Sequence, residues 1–467
     1  MKKNDEKNTT VKMNTPLGEI SLDMLEYHQA NKHAKNHVNP EEFSLARKTV
    51  REFLGTEDKI DFKYWESKLG SLIKMHMDQH FSDAILLKEF DFDGALQTDA
   101  IYSSIFLGEK GYARFMASGW RFYVRKTASG EEKFAVNSSV DSDGDQRLTI
   151  ITSTDGRGLE IIEELMDSFY NNGPLNGGFF DLQYNFLKRH QKTNELMAWN
   201  PHIKKALERD VLNFIQVMPI LKENGLPNSR GIILSGPPGT GKTMIAKSMA
   251  SETEATTILI SAEMIKQRND IKSAFRLARK LAPTLIIIED IDTAGTVSRR
   301  FTDHPILGEY LQAMDGIEAN EGVVVLATTN HTENIDPAIS DRPGRFDRII
   351  EVPLPDREQR INILANLLAK MPTDNLTFGL GTKDFFGNET ISEIGRDAKH
   401  LSGAWIREIV HTAFIFATYD GRDAISAKDL RAALKDVKER RGLAYKSTPK
   451  LEHNYLENEG NVDSLFV

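Results

Sequence analysis

The stretch Gly231–Thr243, GIILSGPPGTGKT, constrains the architecture of this chain more than any other. An apolar run, Ile232–Leu234, is followed by Gly236–Thr243, which fits the spacing G-x-x-x-x-G-K-[ST], and then by the helix-like MIAKSMASE. Strand, glycine-rich loop and helix in that order wrap backbone amides around a phosphate. Glycines supply the turns, and the helix N-terminus points its free N–H groups at the oxygens. The expected cradle is Gly236, Pro237, Pro238, Gly239, Thr240, Gly241, Lys242, Thr243 and Met244. In such a loop the lysine (Lys242) reaches the β- and γ-phosphates of ATP, and the hydroxyl (Thr243) meets Mg²⁺.

The flanking sequence predicts a parallel sheet with crossover helices. Leu285–Ile288 in APTLIIIEDIDT shows no period-2 alternation, as in a strand buried on both faces, and it ends in Glu289 and Asp290. Carboxylates at the C-terminal end of such a strand lie beside the phosphate loop. In isolation a short apolar run followed by two acids says little; about forty residues after a phosphate loop it indicates a site. EGVVVLATTN is another buried strand, and its Asn330 either positions water or ends the strand as a turn residue. Further on, Arg342 and Arg345 flank a Pro-Gly turn, which reads as a solvated surface or as a contact with a neighbouring subunit's phosphate.

With 467 residues the chain is too long for one ordinary domain. The expected division is 1–185, an N-terminal α+β substrate or partner domain; 186–354, an α/β core; 355–441, a helical lid; and 442–467, a flexible tail. Within the first, residues 40–100 read as helical, and ARFMASGWRFYVRKTASGEEKFAVNSS reads as two strands joined at SGEE. Trp120, Phe122 and Tyr123 there suit a sheet core, or alternatively a recognition surface. A formal charge of −9 argues against nucleic acid as the partner. The absence of cysteine excludes disulfides and thiol chemistry, and the twelve histidines show no metal-ligand spacing. No apolar run reaches the roughly 18 residues of a membrane span, and no apolar segment follows the first lysines, so a cytoplasmic protein without a membrane span is expected.

The order of motifs resembles the AAA+ ATPases, specifically the classic AAA clade, over residues 200–440. GPPGTGKT is similar to Walker A, LIIIEDID to Walker B, LQAMDG to the helix that follows, TTN to sensor 1, and DPAISDRPGRFDR to the second region of homology. The resemblance implies a P-loop NTPase core with a parallel sheet and a C-terminal helical lid. It gives Glu289 the metal-coordinating place together with Thr243, Asp290 that of the catalytic base, Asn330 that of sensor 1, and Arg342 and Arg345 those of arginine fingers. It also implies a Mg²⁺-dependent ATPase working as a homo-oligomeric ring, a hexamer or alternatively a heptamer, on protein substrates.

Four features depart from the pattern. The acids stand in the order Glu-Asp; Bcs1-type AAA proteins share that order, so a soluble Bcs1-like relative is one reading. DPAISDRPGR is one residue longer than the usual spacing. ISAEMIKQRNDIKSAF, at the place of a pore loop, has no aromatic before Phe275. Ala404 stands where other branches carry a sensor 2 arginine, with Arg407 as a substitute or as a plain surface residue. The function these features predict is an ATP-hydrolysing ring that remodels, disassembles or translocates proteins. The alternatives are a nucleic-acid-acting motor or loader, and a nucleotide-gated scaffold.

Overall fold

The computed structural model describes residues 10–15, 18–23, 40–93, 96–128, 130–189, 201–265, 268–291, 321–330, 346–373 and 389–447. They fall into two units, residues 1–176 with 183–186, and residues 177–182 with 187–467.

The first unit is built on an antiparallel sheet. A hairpin of β1 (Thr10–Thr15) and β2 (Gly18–Asp23) occupies part of the polar N-terminal stretch. Then come α1 (Pro40–Leu54), β3 (Lys59–Trp65), α2 (Ser67–His80), β4 (Ile85–Asp93), β5 (Leu96–Thr98) and β6 (Ile101–Phe106). Residues 40–100 therefore hold three strands where a helical pattern was expected. β3, KIDFKYW, sits at a sheet edge with Phe62 and Tyr64 exposed, so its alternation is diluted by charge. β7 (Tyr112–Thr127) and β8 (Gly130–Val140) form a tight hairpin closing at Thr127↔Gly130, and β9 (Gln146–Thr152) and α3 (Arg157–Asn172) follow. The strand order is β3-β9-β8-β7-β4-β5, with β6 paired to β7.

Side-chain alternation divides the core of this sheet between its faces. Phe122 and Ala135 pack with Ala46 and Val50 of α1. Their neighbours Tyr123 and Phe134 meet Phe81 at ring distances of 5.3 and 5.1 Å. Trp120, Phe122 and Tyr123 are all buried. They belong to the sheet core.

The second unit holds a six-stranded parallel sheet. Its first strand, β10 (Phe179–Asp181), lies upstream of residue 186, the expected start of the α/β core. After α4 (Pro201–Leu207), a π-turn over Glu208–Leu212 and α5 (Asn213–Glu223), the chain alternates β11 (Arg230–Ser235), α6 (Lys242–Glu252), β12 (Thr256–Ser261), α7 (Arg268–Lys280), β13 (Thr284–Glu289), β14 (Val323–Thr329) and β15 (Arg348–Glu351). The order is β10-β12-β13-β14-β11-β15, so β11 is flanked by two strands that follow it much later in sequence. That reversal opens a crevice at the C-terminal ends of the strands, where ligands bind in such sheets. β14 is buried throughout, and β13 up to its final residue.

Four helices complete the unit: α8 (Arg357–Leu368), α9 (Glu389–Asp397), α10 (Gly403–Tyr419) and α11 (Ala427–Ser447). Asp356 and Gln359 form a capping box that starts α8. Ile361, Leu364, Ile394, Ile406, Ile409 and Leu434 share one apolar core among these helices. The helix α11 extends past residue 441, the expected start of the tail, and residues 448–467 lie outside the described residues.

Candidate functional site: a cavity at the phosphate loop

Between β11 and α6 the chain turns through Gly236, Gly239 and Gly241 at φ +145°, +78° and +96°. A Cβ on Gly236 would stand 2.2 Å from the Val352 carbonyl oxygen, so the approach of β15 to the loop requires glycine here. Lys242 folds back beneath the loop and donates to the carbonyls of Gly236 (2.7 Å) and Pro237 (2.9 Å). The Thr240 hydroxyl bonds the Pro237 carbonyl at 3.0 Å. The first turn of α6 thus opens on the concave side of the loop with amides that no helical carbonyl can satisfy.

This concavity belongs to a cavity of ≈ 550 Å³. Its lining includes the residues from Pro238 to Met244, together with Asp290 and Asn330. It also includes apolar side chains, Ile203 from α4, Val352 and Pro353 after β15, Ile363 and Leu367 from α8, and Ala404 from α10. The size lies within the range of small-molecule sites, which combine an apolar lining with a few polar groups. The lid helix reaches the loop directly, since Ala404 N–H donates to the Gly239 carbonyl at 3.1 Å. Arg407, exposed on that helix, is also among the residues that line the cavity.

The paired acids of β13 take different positions. Asp290 leaves the strand at φ +48°, a left-handed conformation that Asp tolerates better than most residues. Thr328 holds this turn, its hydroxyl accepting from Asp290 N–H (3.0 Å) and its carbonyl from Ile291 N–H (2.9 Å). The Asp290 carboxylate accepts from the Asn330 amide at 3.2 Å, so these two candidates meet in the cavity. Glu289, the last residue of the strand, does not line the cavity; its carboxylate stands 2.7 Å from Lys247 Nζ on α6. Arg342 and Arg345 lie outside the described residues. Phe275 is fully buried on α7 and presents no aromatic surface.

Thr328 and Lys247 were not picked out by sequence reasoning. Lys247 is four residues from Thr243 on one helix face, a spacing visible in the sequence. What it faces became visible only once β13 was in place.

A phosphate loop after β11 of a parallel sheet, carboxylate and amide side chains at the ends of β13 and β14, and a helical lid define a P-loop nucleotide-binding protein. Residues 232–354 match the family model of the AAA ATPases, the ATPase family associated with various cellular activities. The chain is 34% identical over 246 residues to the proteasome-activating nucleotidase of Sulfurisphaera tokodaii, covering 50% of this chain and 59% of that protein. It is 32% identical over 263 residues to that of Methanococcus vannielii (53% and 60%), and 34% identical over 263 residues to that of Methanocaldococcus jannaschii (53% and 57%). The chain thus spans less than two thirds of the curated relatives it matches. It carries an AAA+ ATPase domain of the classic clade. Among the described residues, no helix is long and apolar enough to cross a membrane.

Proposed function

We propose that the protein is a Mg²⁺-dependent ATPase that acts as a homo-oligomeric ring, a hexamer, to remodel or translocate protein substrates. The observation that carries this reading is the cavity lined by Lys242, Asp290 and Asn330 together with apolar residues, with the lid helix bonded to the loop. Lys242 swings from the Gly236 and Pro237 carbonyls to the phosphate oxygens. Asn330 fixes the Asp290 carboxylate, which orients and polarises the attacking water. Arg342 and Arg345 reach a neighbour's nucleotide, which makes the ring necessary for full turnover.

Magnesium suits the oxygen donors available, the Thr243 hydroxyl and the Glu289 carboxylate. The ammonium at 2.7 Å from Glu289 already marks that carboxylate as a place where positive charge is held. When bound, the ion would neutralise charge on the β- and γ-phosphates. Protein substrates are supported by the relatives' name, proteasome-activating nucleotidase, and the net charge of −9 gives no support to nucleic acid.

Phosphate release with ATP and Mg²⁺ tests the reading. Release that Lys242→Ala and Asp290→Asn both reduce at least a hundredfold supports it; release that survives both refutes it. Sedimentation with a non-hydrolysable ATP analogue checks the ring.

A further inference from the structure

The contact between Lys247 and Glu289 has a role that goes beyond fold stability. Lys247 lines the cavity, whereas Glu289 does not, so the ammonium is the group through which Glu289 meets the cavity. The pair is partly shielded, with side-chain exposures of 31% and 16%. Glu289 Oε1 is buried and receives no well-aligned hydrogen bond, although Nζ is only 2.7 Å away. Close approach of positive charge without hydrogen-bond alignment is how a spherical cation sits on a carboxylate.

Glu289 lies at the end of β13 beside the cavity, and a polyphosphate entering near it would be repelled by an uncompensated carboxylate. Lys242 donates to the Gly236 and Pro237 carbonyls, while Lys247 is the ammonium that stands against Glu289. Its position four residues after Thr243 places both on one face of α6, within reach of one bound ion.

We propose that Lys247 is a positioning residue that stands in for the divalent cation on Glu289 when no metal is bound, and yields that carboxylate when metal–nucleotide enters. This rests on the reading of Glu289 as a metal carboxylate given above. Lys247 then competes with Mg²⁺, and its removal strengthens the response to Mg²⁺.

The test is a MgCl₂ titration of the binding of a fluorescent ATP analogue to the full chain, with an EDTA arm and a thermal melt of each variant. Lys247→Met is expected to lower the half-saturating Mg²⁺ about tenfold, the scale of one nearby unit charge, and to weaken binding in EDTA by a similar factor. Lys247→Arg should keep the wild-type response, and Glu289→Gln should raise the half-saturating Mg²⁺. Lys247→Met/Glu289→Gln should recover the EDTA affinity, which no loss of packing would do. Lys247→Gln substitutes if the Met variant does not fold. A half-saturating Mg²⁺ that Lys247→Met leaves unchanged or raises, in a wild type that does respond to Mg²⁺, overturns the inference alone. A wild type whose nucleotide binding ignores Mg²⁺ overturns the metal reading beneath it.

Discussion

The two sheets of this molecule use polar residues in opposite ways. In the parallel sheet, β14 and all but the end of β13 are buried, and the groups that matter chemically sit at the strand ends, as Glu289, Asp290 and Asn330. In the antiparallel sheet the polar groups are sunk among the strands. Lys74 is fully buried and donates to the Ala117 carbonyl (3.0 Å), the Ser139 carbonyl (2.8 Å) and Gln146 Oε1 (2.8 Å). Ala117 and Ser139 lie just beyond the Gly119↔Ser138 pair, where the β7–β8 ladder stops, so the lysine bridges the open end of the ladder. Arg121 is likewise buried, bonded to Glu89 (2.6 Å), Tyr102 (3.0 Å) and Asp78. The first arrangement leaves polar atoms facing a cavity and available to a ligand. The second consumes them in holding strands together.

If that contrast is right, polar substitutions in one unit remove activity and in the other remove stability. The largest effect is expected for Lys242→Ala, a loss of about a thousandfold in phosphate release with little change in melting temperature. An unchanged rate would break the comparison at once. Gly236→Ala should cost about 4 kcal/mol in chemical unfolding and abolish nucleotide binding, because its Cβ would meet the Val352 carbonyl at 2.2 Å in a positive-φ turn. Lys74→Met should lower the stability of the first unit by about 3 kcal/mol, measured by hydrogen exchange of β7–β9 amides, since three acceptors lose their donor in apolar surroundings. Nucleotide binding should not change.

The pH dependence sharpens the same contrast. Burial lowers Lys74 from 10.5 to about 7. Between those values the unfolded chain holds a proton that the folded chain has released, so the first unit should gain stability as pH rises from about 7 towards 10. That slope should flatten in Lys74→Met. The smallest effect concerns the lid. There the Arg422 guanidinium, at 2.7 Å, holds the Asp429 carboxyl far below the usual carboxylate range, with help from Ser426 and against the opposing effect of burial. Its contribution is present above about pH 4 and is lost as pH falls through the folded value. Asp429→Asn should cost about 1 kcal/mol at neutral pH in thermal unfolding and remove that acid sensitivity.

What the sequence made legible follows the same divide. Gly236–Thr243 announces its structure because phosphate binding fixes residue types locally, and Leu285–Ile288 announces a doubly buried strand by its unbroken apolar run. β3, an edge strand, and β4 escaped notice because charged residues are mixed into their alternation, as in KIDFKYW and ILLKEFDFD. β10 escaped because three residues between glycines and turns carry too little pattern to read. Lys74 resembles any lysine of an amphipathic helix until the strands around it are known. In the site, the reach of Asp290 into the cavity and the capture of Glu289 by Lys247 depend on the left-handed turn at residue 290 and on the packing of α6 against β13. Neither is encoded in a run of neighbours.

The hydrogen bond from Ala404 N–H to the Gly239 carbonyl makes the lid and the phosphate loop a single thermodynamic object. If ordering the loop restricts the lid, reciprocity requires that a partner whose affinity for the lid depends on nucleotide change the affinity of the loop by the same factor. A contact on the far side of α10 would then be felt as a change in nucleotide occupancy without touching the nucleotide.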